Sequence, residues 1–132
     1  MTEAVRTIKP GVQEGRVWVA FTGLLAVGWL VLAFVRVQAI RKLGLAAGGT
    51  TFISDMTQPW RAQFNSDFGL HLLLVAAWMI FRTRPWWLGV LCALLAINMG
   101  GMFTLAYLLM IAIRAQGDMR TVLLGWRAER AL

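Results

Sequence analysis

"WWLGVLCALLAINMGGMFTLAYLLMIAI", Trp86 to Ile113, is a run of twenty-eight residues without a charge. About 20 apolar residues in a helix cross a bilayer core about 30 Å thick, so the run reads as a membrane span. At 1.5 Å per residue it would reach about 42 Å if wholly helical, and it is expected to tilt or to extend past the hydrocarbon. Trp86 and Trp87 follow directly on the turn "RTRP" and fit an aromatic belt at one interface. Pro85 suits a first helical turn.

The chain around this run is of the same kind. Of its 132 residues 59% are hydrophobic, 14% are charged and seven are tryptophan, which is outside the usual mixture of a soluble domain. The first apolar run, Val17 to Val35, has nineteen residues fenced by Arg16 and Arg36. A signal peptide has a shorter apolar core, about 7 to 15 residues, and a leader that seldom carries acids such as Glu3 and Glu14, so an uncleaved span is expected. Phe68 to Phe81 has only fourteen residues, about 21 Å of helix, which is too short to cross alone. It crosses only if Phe64, Asn65, Ser66 and Asp67 lie at the interface; a re-entrant hairpin is the alternative. A true span is preferred, because the turn after it passes at once into Trp86 to Ile113.

The expected fold is all-α: one integral membrane domain over residues 1–132 with three transmembrane helices, at about 17–36, 65–81 and 86–113. Gly48 and Gly49 are expected to break the first helix inside a polar loop at 41–64, in which Pro59 starts a turn. The segment 114–132 alternates Leu123, Leu124, Trp126 and Leu132 with Arg120, Arg127 and Arg130, as an amphipathic helix lying on a lipid surface does.

Net charge is +7. The basic residues flank the apolar runs, where they act as topology signals and phospholipid contacts, so no nucleic-acid partner is expected. With three crossings, Arg6, Lys9, Arg16, Arg82 and Arg84 fall on one side, and Arg36, Arg41, Lys42, Arg61, Arg114, Arg120, Arg127 and Arg130 on the other. The positive-inside rule then makes the larger set cytoplasmic and puts the amino terminus outside, in a membrane of the bacterial inner type. Trp60, Trp86, Trp87 and Trp126 are the expected interfacial anchors. The single cysteine, Cys92, forms no internal disulfide, and no zinc-ligand spacing or phosphate-cradling glycine loop is present.

Two polar constellations remain. Asp67 and His71, four residues apart, share a helix face, where the carboxylate would raise the basicity of the imidazole. The structural reading is favoured for Asp67, as a cap on the second span, and His71 is balanced between a helix-to-helix hydrogen bond and a functional role. Asn98, deep in the third run, is expected to bond to a neighbouring helix. Around it Cys92, Ala96, Gly100 and Thr104 recur every four residues as a small-residue packing ridge. No metal site or cofactor is expected; ligation of haem or pigment by His71 stays open, with nothing selecting among Met79, Met99, Met102 and Met110 as a second ligand.

Pro59, Phe64, Asp67, Trp78, Arg82, Arg84, Trp86, Trp87 and Tyr107 lie within about Gln58 to Tyr107. In this pattern a loop with proline and aromatics leads to an aspartate opening a span, which ends in tryptophan and an arginine-rich turn before the last span. It resembles a group of small, uncharacterised bacterial membrane proteins of about three spans. The resemblance implies that architecture and singles out Asp67, but implies no reaction, and His71 departs from the pattern. Of two functional readings, a non-catalytic accessory subunit of a larger respiratory or photosynthetic membrane complex, with other membrane subunits and phospholipids as partners, is favoured. The other is a small enzyme or carrier acting on a lipid or isoprenoid, with Asp67 and His71 as acid and base.

Overall fold

The computed structural model describes residues 12–130. Over these residues the chain is all-helical: α1 Val12–Leu43, α2 Ala47–Asp55, α3 Pro59–Arg82, α4 Trp86–Met99, α5 Gly101–Ala115 and α6 Met119–Leu124, followed by a 3-10 turn, Gly125–Arg130. Among the described residues two helices, α1 over Gly15–Leu43 and α3 over Pro59–Arg82, are long and apolar enough to cross a membrane. That is fewer than the three expected from the sequence.

The run Trp86 to Ile113 is the difference. It is not one span but two short helices, α4 of 14 residues and α5 of 15, joined at Gly100. Gly100 has φ +61° and ψ −138°, a conformation for which a side chain is strained, and here it reverses the chain. The neighbours fix the direction. Gly89 of α4 lies against Ile80 of α3, and Gly100 against Phe68, so α4 runs antiparallel to α3. On the other arm, Trp18 of α1 meets Ala112 and Trp29 meets Met102, so α5 runs antiparallel to α1. The two arms, each about 21 to 22 Å long, therefore form a helical hairpin that returns to the end where α3 finishes. Hydropathy alone cannot see this reversal, because both arms and the turn between them are apolar.

The α4 face toward α3 is made of small residues. Gly89, Ala93 and Ala96 are buried there, with Gly100 at the tip, and Gly89 brings its Cα against the Ile80 backbone. The packing ridge is thus internal to the chain, and its register differs from the expected one. Cys92 sits to one side of it, and Thr104 lies beyond the turn on α5.

The second run does become a long helix. It starts at Pro59, in the first-turn position where a missing N–H costs nothing, and so gains about two turns before the apolar residues begin. The expected loop 41–64 is correspondingly mostly helical. α1 continues to Leu43 and stops at Gly44, φ +82°, while Gly48 and Gly49 lie inside α2. A surface ion pair, Arg61 to Asp55 at 2.7 Å, joins α2 to α3.

α1 packs on α5, and α3 on α4. The core lies toward the α3 carboxy-terminal end, where Leu25, Met79, Tyr107, Ile111 and Val122 are buried together. Away from these seams the large apolar side chains face outward, Leu24, Leu30 and Phe34 on α1 and Leu70 and Leu74 on α3 among them.

Replacing Gly100 with alanine is expected to lower stability in detergent by about 1–3 kcal/mol, the cost of holding a side chain in a glycine-only backbone region. Asn98→Ala, at an exposed position two residues away, should unfold close to wild type. Equal thermal midpoints for the two variants would mean that the chain does not reverse at Gly100.

Candidate functional site

The best-built polar structure is centred on Arg82, the last residue of α3, which is 8% exposed. Its Nε donates to the Val122 carbonyl at 3.0 Å, its Nη2 to the Thr121 carbonyl at 3.3 Å, and its Nη1 to the Tyr107 hydroxyl at 2.5 Å. The guanidinium also lies 5.3 Å from the centre of the Trp78 ring and 5.5 Å from that of Tyr107. No carboxylate pairs with it among the described residues. The charge is instead spread over carbonyl dipoles, a phenol and two ring faces, each a favourable partner for a planar cation.

Local chemistry brings these partners to Arg82. After α5, Gln116 (φ +48°) and Gly117 (φ +98°) turn the chain back, and Asp118 caps α6 by accepting from the Arg120 N–H at 2.9 Å. The Thr121 hydroxyl also donates to Asp118 and is the main reason its carboxyl is held below the ordinary range. α6 then ends against α3. Its last carbonyls take the Arg82 donors and the Trp78 indole N–H, which reaches the Leu123 carbonyl at 3.0 Å. Gly125, φ +57°, presses on the Arg82 carbonyl so closely that no side chain fits. In return Arg127 donates to the Phe81 carbonyl at 3.1 Å and lies over the Phe81 and Trp126 rings. The segment expected to lie on a lipid surface is therefore docked through Val122, which is 2% exposed. Ala131 and Leu132 lie outside the described residues.

Beside this junction the arms of the hairpin part around an open cleft of about 700 Å3. Leu91 and Leu95 of α4 and Phe103 and Met110 of α5 form its walls, and Arg82, Arg84 and Arg114 stand at the end away from Gly100.

The residues singled out in the sequence do not assemble into one site. Asp67 is not a cap: α3 begins eight residues earlier, at Pro59, so Asp67 lies inside the helix. Nor does its carboxylate meet His71. It accepts from Gln63 at 3.4 Å, whereas His71 Nδ1–H donates to the Asp67 backbone carbonyl at 2.8 Å, and both residues are exposed. Asn98 is exposed too, with its amide turned back to the Leu94 carbonyl at 2.8 Å rather than across to another helix. Met79 is fully buried and Met110 lines the cleft, so neither shares the exposed flank of His71. Among the described residues no three His, Cys, Asp or Glu side chains gather to hold a metal ion. Trp60 and Trp86 are strongly exposed, at 77% and 72%, and Trp87 less so, while Trp126 is held between Arg84 and Arg127.

Sequence reasoning missed Arg82 as a centre, having counted it only as a flanking charge. A signal was present. Trp78, Arg82 and Tyr107, all part of the pattern that carried the family resemblance, are the side chains the structure brings together. Compared with protein-family models, curated proteins and solved structures, the chain matches none.

Arg82→Met is expected to cost about 1–3 kcal/mol, the cost of leaving the buried Val122 carbonyl without its Arg82 donor, since the Thr121 carbonyl keeps the Gly125 N–H. Trypsin should then cut sooner after Arg120 and Arg127, both exposed. Tyr107→Phe, which removes one acceptor, should cost about 1 kcal/mol. Unchanged proteolysis in Arg82→Met would show that the junction does not hold the carboxy-terminal segment.

Proposed function

We propose that the chain is a non-catalytic subunit of a larger membrane protein complex, joined to its neighbours along the α3 flank that carries Asp67 and His71. The observation that carries this reading is the outward placement of these two side chains, in and just beyond the layer of Phe68 and Gly100, with no other helix of the chain bonded to either among the described residues. An ionisable group left facing hydrocarbon is costly, so such groups in a span meet partners or water. A second protein supplies those partners here. α1 supports the same reading, since it packs on α5 and leaves the rest of an apolar helix exposed. Acid–base chemistry on a lipid or isoprenoid is less well supported, because the carboxylate is turned away from the imidazole and neither residue lines the cleft.

In this reading α1 and α3 cross the membrane, and the α4–α5 hairpin enters from the side where α3 ends. Arg16, Arg82, Arg84, Arg114, Arg120, Arg127 and Arg130 then share one side, against Arg36, Arg41, Lys42 and Arg61 on the other. Arg6 and Lys9 lie outside the described residues. The positive-inside rule makes the first side cytoplasmic, with the start of α1 and the 3-10 turn both there. This reverses the orientation expected from three crossings, because the hairpin carries Arg114 and everything after it back across.

Two experiments test these proposals. With Cys92 replaced by alanine, single cysteines at Thr83 and Met119 should react with an impermeant thiol reagent from the same face of the membrane, and one at Thr51 from the opposite face. Reaction of Thr83 and Met119 sites from opposite faces would mean that the third run crosses. For the complex, Asp67→Leu combined with His71→Leu should abolish recovery of unlike, stoichiometric partners in mild detergent while leaving the stability of the chain within about 0.5 kcal/mol of wild type, as for other exposed substitutions. Partners retained by the double variant would place the interface elsewhere, and a wild-type chain purified without any would overturn the subunit reading.

A further inference from the structure

We propose that the cleft between α4 and α5 holds one anionic glycerophospholipid, with its phosphate at Arg84 and Arg114 and an acyl chain lying between the arms of the hairpin. The inference rests on the membrane reading above. It deepens that reading by giving the chain a specific lipid, separate from the α3 flank proposed for protein partners.

The cleft is amphipathic along its length. From Phe103 to Arg114 it follows α5 for about 16 Å. The end toward Gly100 is walled by Leu95 and Phe103, the middle by Leu91 and Met110, and the far end by arginines. Its volume of about 700 Å3 lies within the range of about 300–1,000 Å3 found for small-molecule sites. Among the described residues no aspartate or glutamate lines it. The charge of Arg82 is already met by Val122, Thr121 and Tyr107, so Arg82 lends the cleft its field and leaves contact to the other two. Arg84 lies over Trp126, which keeps a guanidinium edge available at the mouth, and Arg114 has no hydrogen bond or ion pair among the described residues. Ala106, Met110 and Arg114, four residues apart on α5, form one rim.

The shape selects the occupant. A free phosphate would leave the apolar walls unfilled, and a zwitterionic lipid would present its own cation to the arginines. An anionic lipid satisfies both ends, with its headgroup at the level of the α3–α4 turn and its chain pointing inward toward Gly100. The arginine-bearing end is also the side proposed to be cytoplasmic, where juxtamembrane cations bind anionic lipid.

The test uses the detergent-purified full-length chain, stripped of lipid, with binding read by native mass spectrometry and by thermal midpoint. Phosphatidylglycerol, phosphatidylcholine with the same acyl chains, and glycerol 3-phosphate are titrated separately. Phosphatidylglycerol should bind one to one and raise the midpoint, phosphatidylcholine should bind much more weakly, and glycerol 3-phosphate should leave the midpoint unchanged. Arg84→Gln and Arg114→Gln should each weaken phosphatidylglycerol about fivefold, and Ala106→Trp, which fills the cleft from an exposed position, should abolish the bound lipid while the thiol-labelling pattern stays that of wild type. Equal binding of the two phospholipids, or undiminished binding by the arginine variants, would overturn the proposal. A midpoint raised equally by glycerol 3-phosphate would also overturn it, leaving a phosphate site without an acyl occupant. Lipid binding that persists after Asp67→Leu and His71→Leu have removed the protein partners would separate this site from the subunit interface. A chain that stays in solution without detergent would instead overturn the membrane reading itself.

Discussion

A helix that ends among apolar groups leaves carbonyls without donors, and the structure depends on where those donors come from. The reversal at Gly100 ends α4 against the flank of α1, where Arg36 donates to the Met99 carbonyl at 3.4 Å, while Trp29 anchors the start of α5 by donating to the Met102 carbonyl at 3.1 Å. Arg36 also brings a positive charge to the carboxy-terminal end of the α4 dipole. The residue that closes the first apolar run thus helps to stabilise the break in the third. A single continuous helix would satisfy these carbonyls itself, so the break gains from the donor that Arg36 brings.

The same constraint is met at the opposite end by exchange. Arg82, the end of α3, serves carbonyls of α6, and Arg127, beyond α6, serves the Phe81 carbonyl near the end of α3. Each segment donates to carbonyls at the end of the other, the Thr121 carbonyl taking Arg82 beside the Gly125 N–H. Tyr107 joins α5 to this exchange, and its ring is packed edge-on by Trp78 and stacked by Phe103. One buried cation is tolerated because its donors are occupied by three acceptors from two other elements, α5 and α6, which makes the junction specific in geometry as well as stable.

What could be read from the sequence was whatever hydropathy and length encode. The helical class, the first long helix and the apolar character of the third run were legible, as was the need for α3 to recruit residues ahead of Phe68. The reversal at Gly100 was not, because "MGGM" can sit inside a packed transmembrane helix as well as in a turn, and no local signal decides between them. The ridge was half legible. Ala96 and Gly100 pack as a small-residue face should, but against α3 of the same chain. Asp67 was misread because Pro59 begins the helix so far upstream that no cap is needed where the aspartate stands. Arg82 was hidden for a different reason, since its partners Thr121 and Val122 are about forty positions away and nothing in its local spacing announces them.

The reversal also changes what the arginines mean. In a chain of three crossings the basic residues after Ile113 lie across the membrane from Arg82 and Arg84, and each group is an ordinary flank. Folding the third run into a hairpin brings the groups together at one end, with the Arg82 junction between them and the cleft opening beside it. Charge of one sign gathered at the mouth of an apolar cleft repels itself unless something anionic joins it. The hairpin therefore makes the orientation signal and the lipid proposal consequences of one backbone event. If Gly100 did not reverse the chain, Arg114 could not approach Arg84, and the positive-inside argument and the anionic site would fail together, whereas the outward-facing Asp67 and His71 on α3 would be untouched.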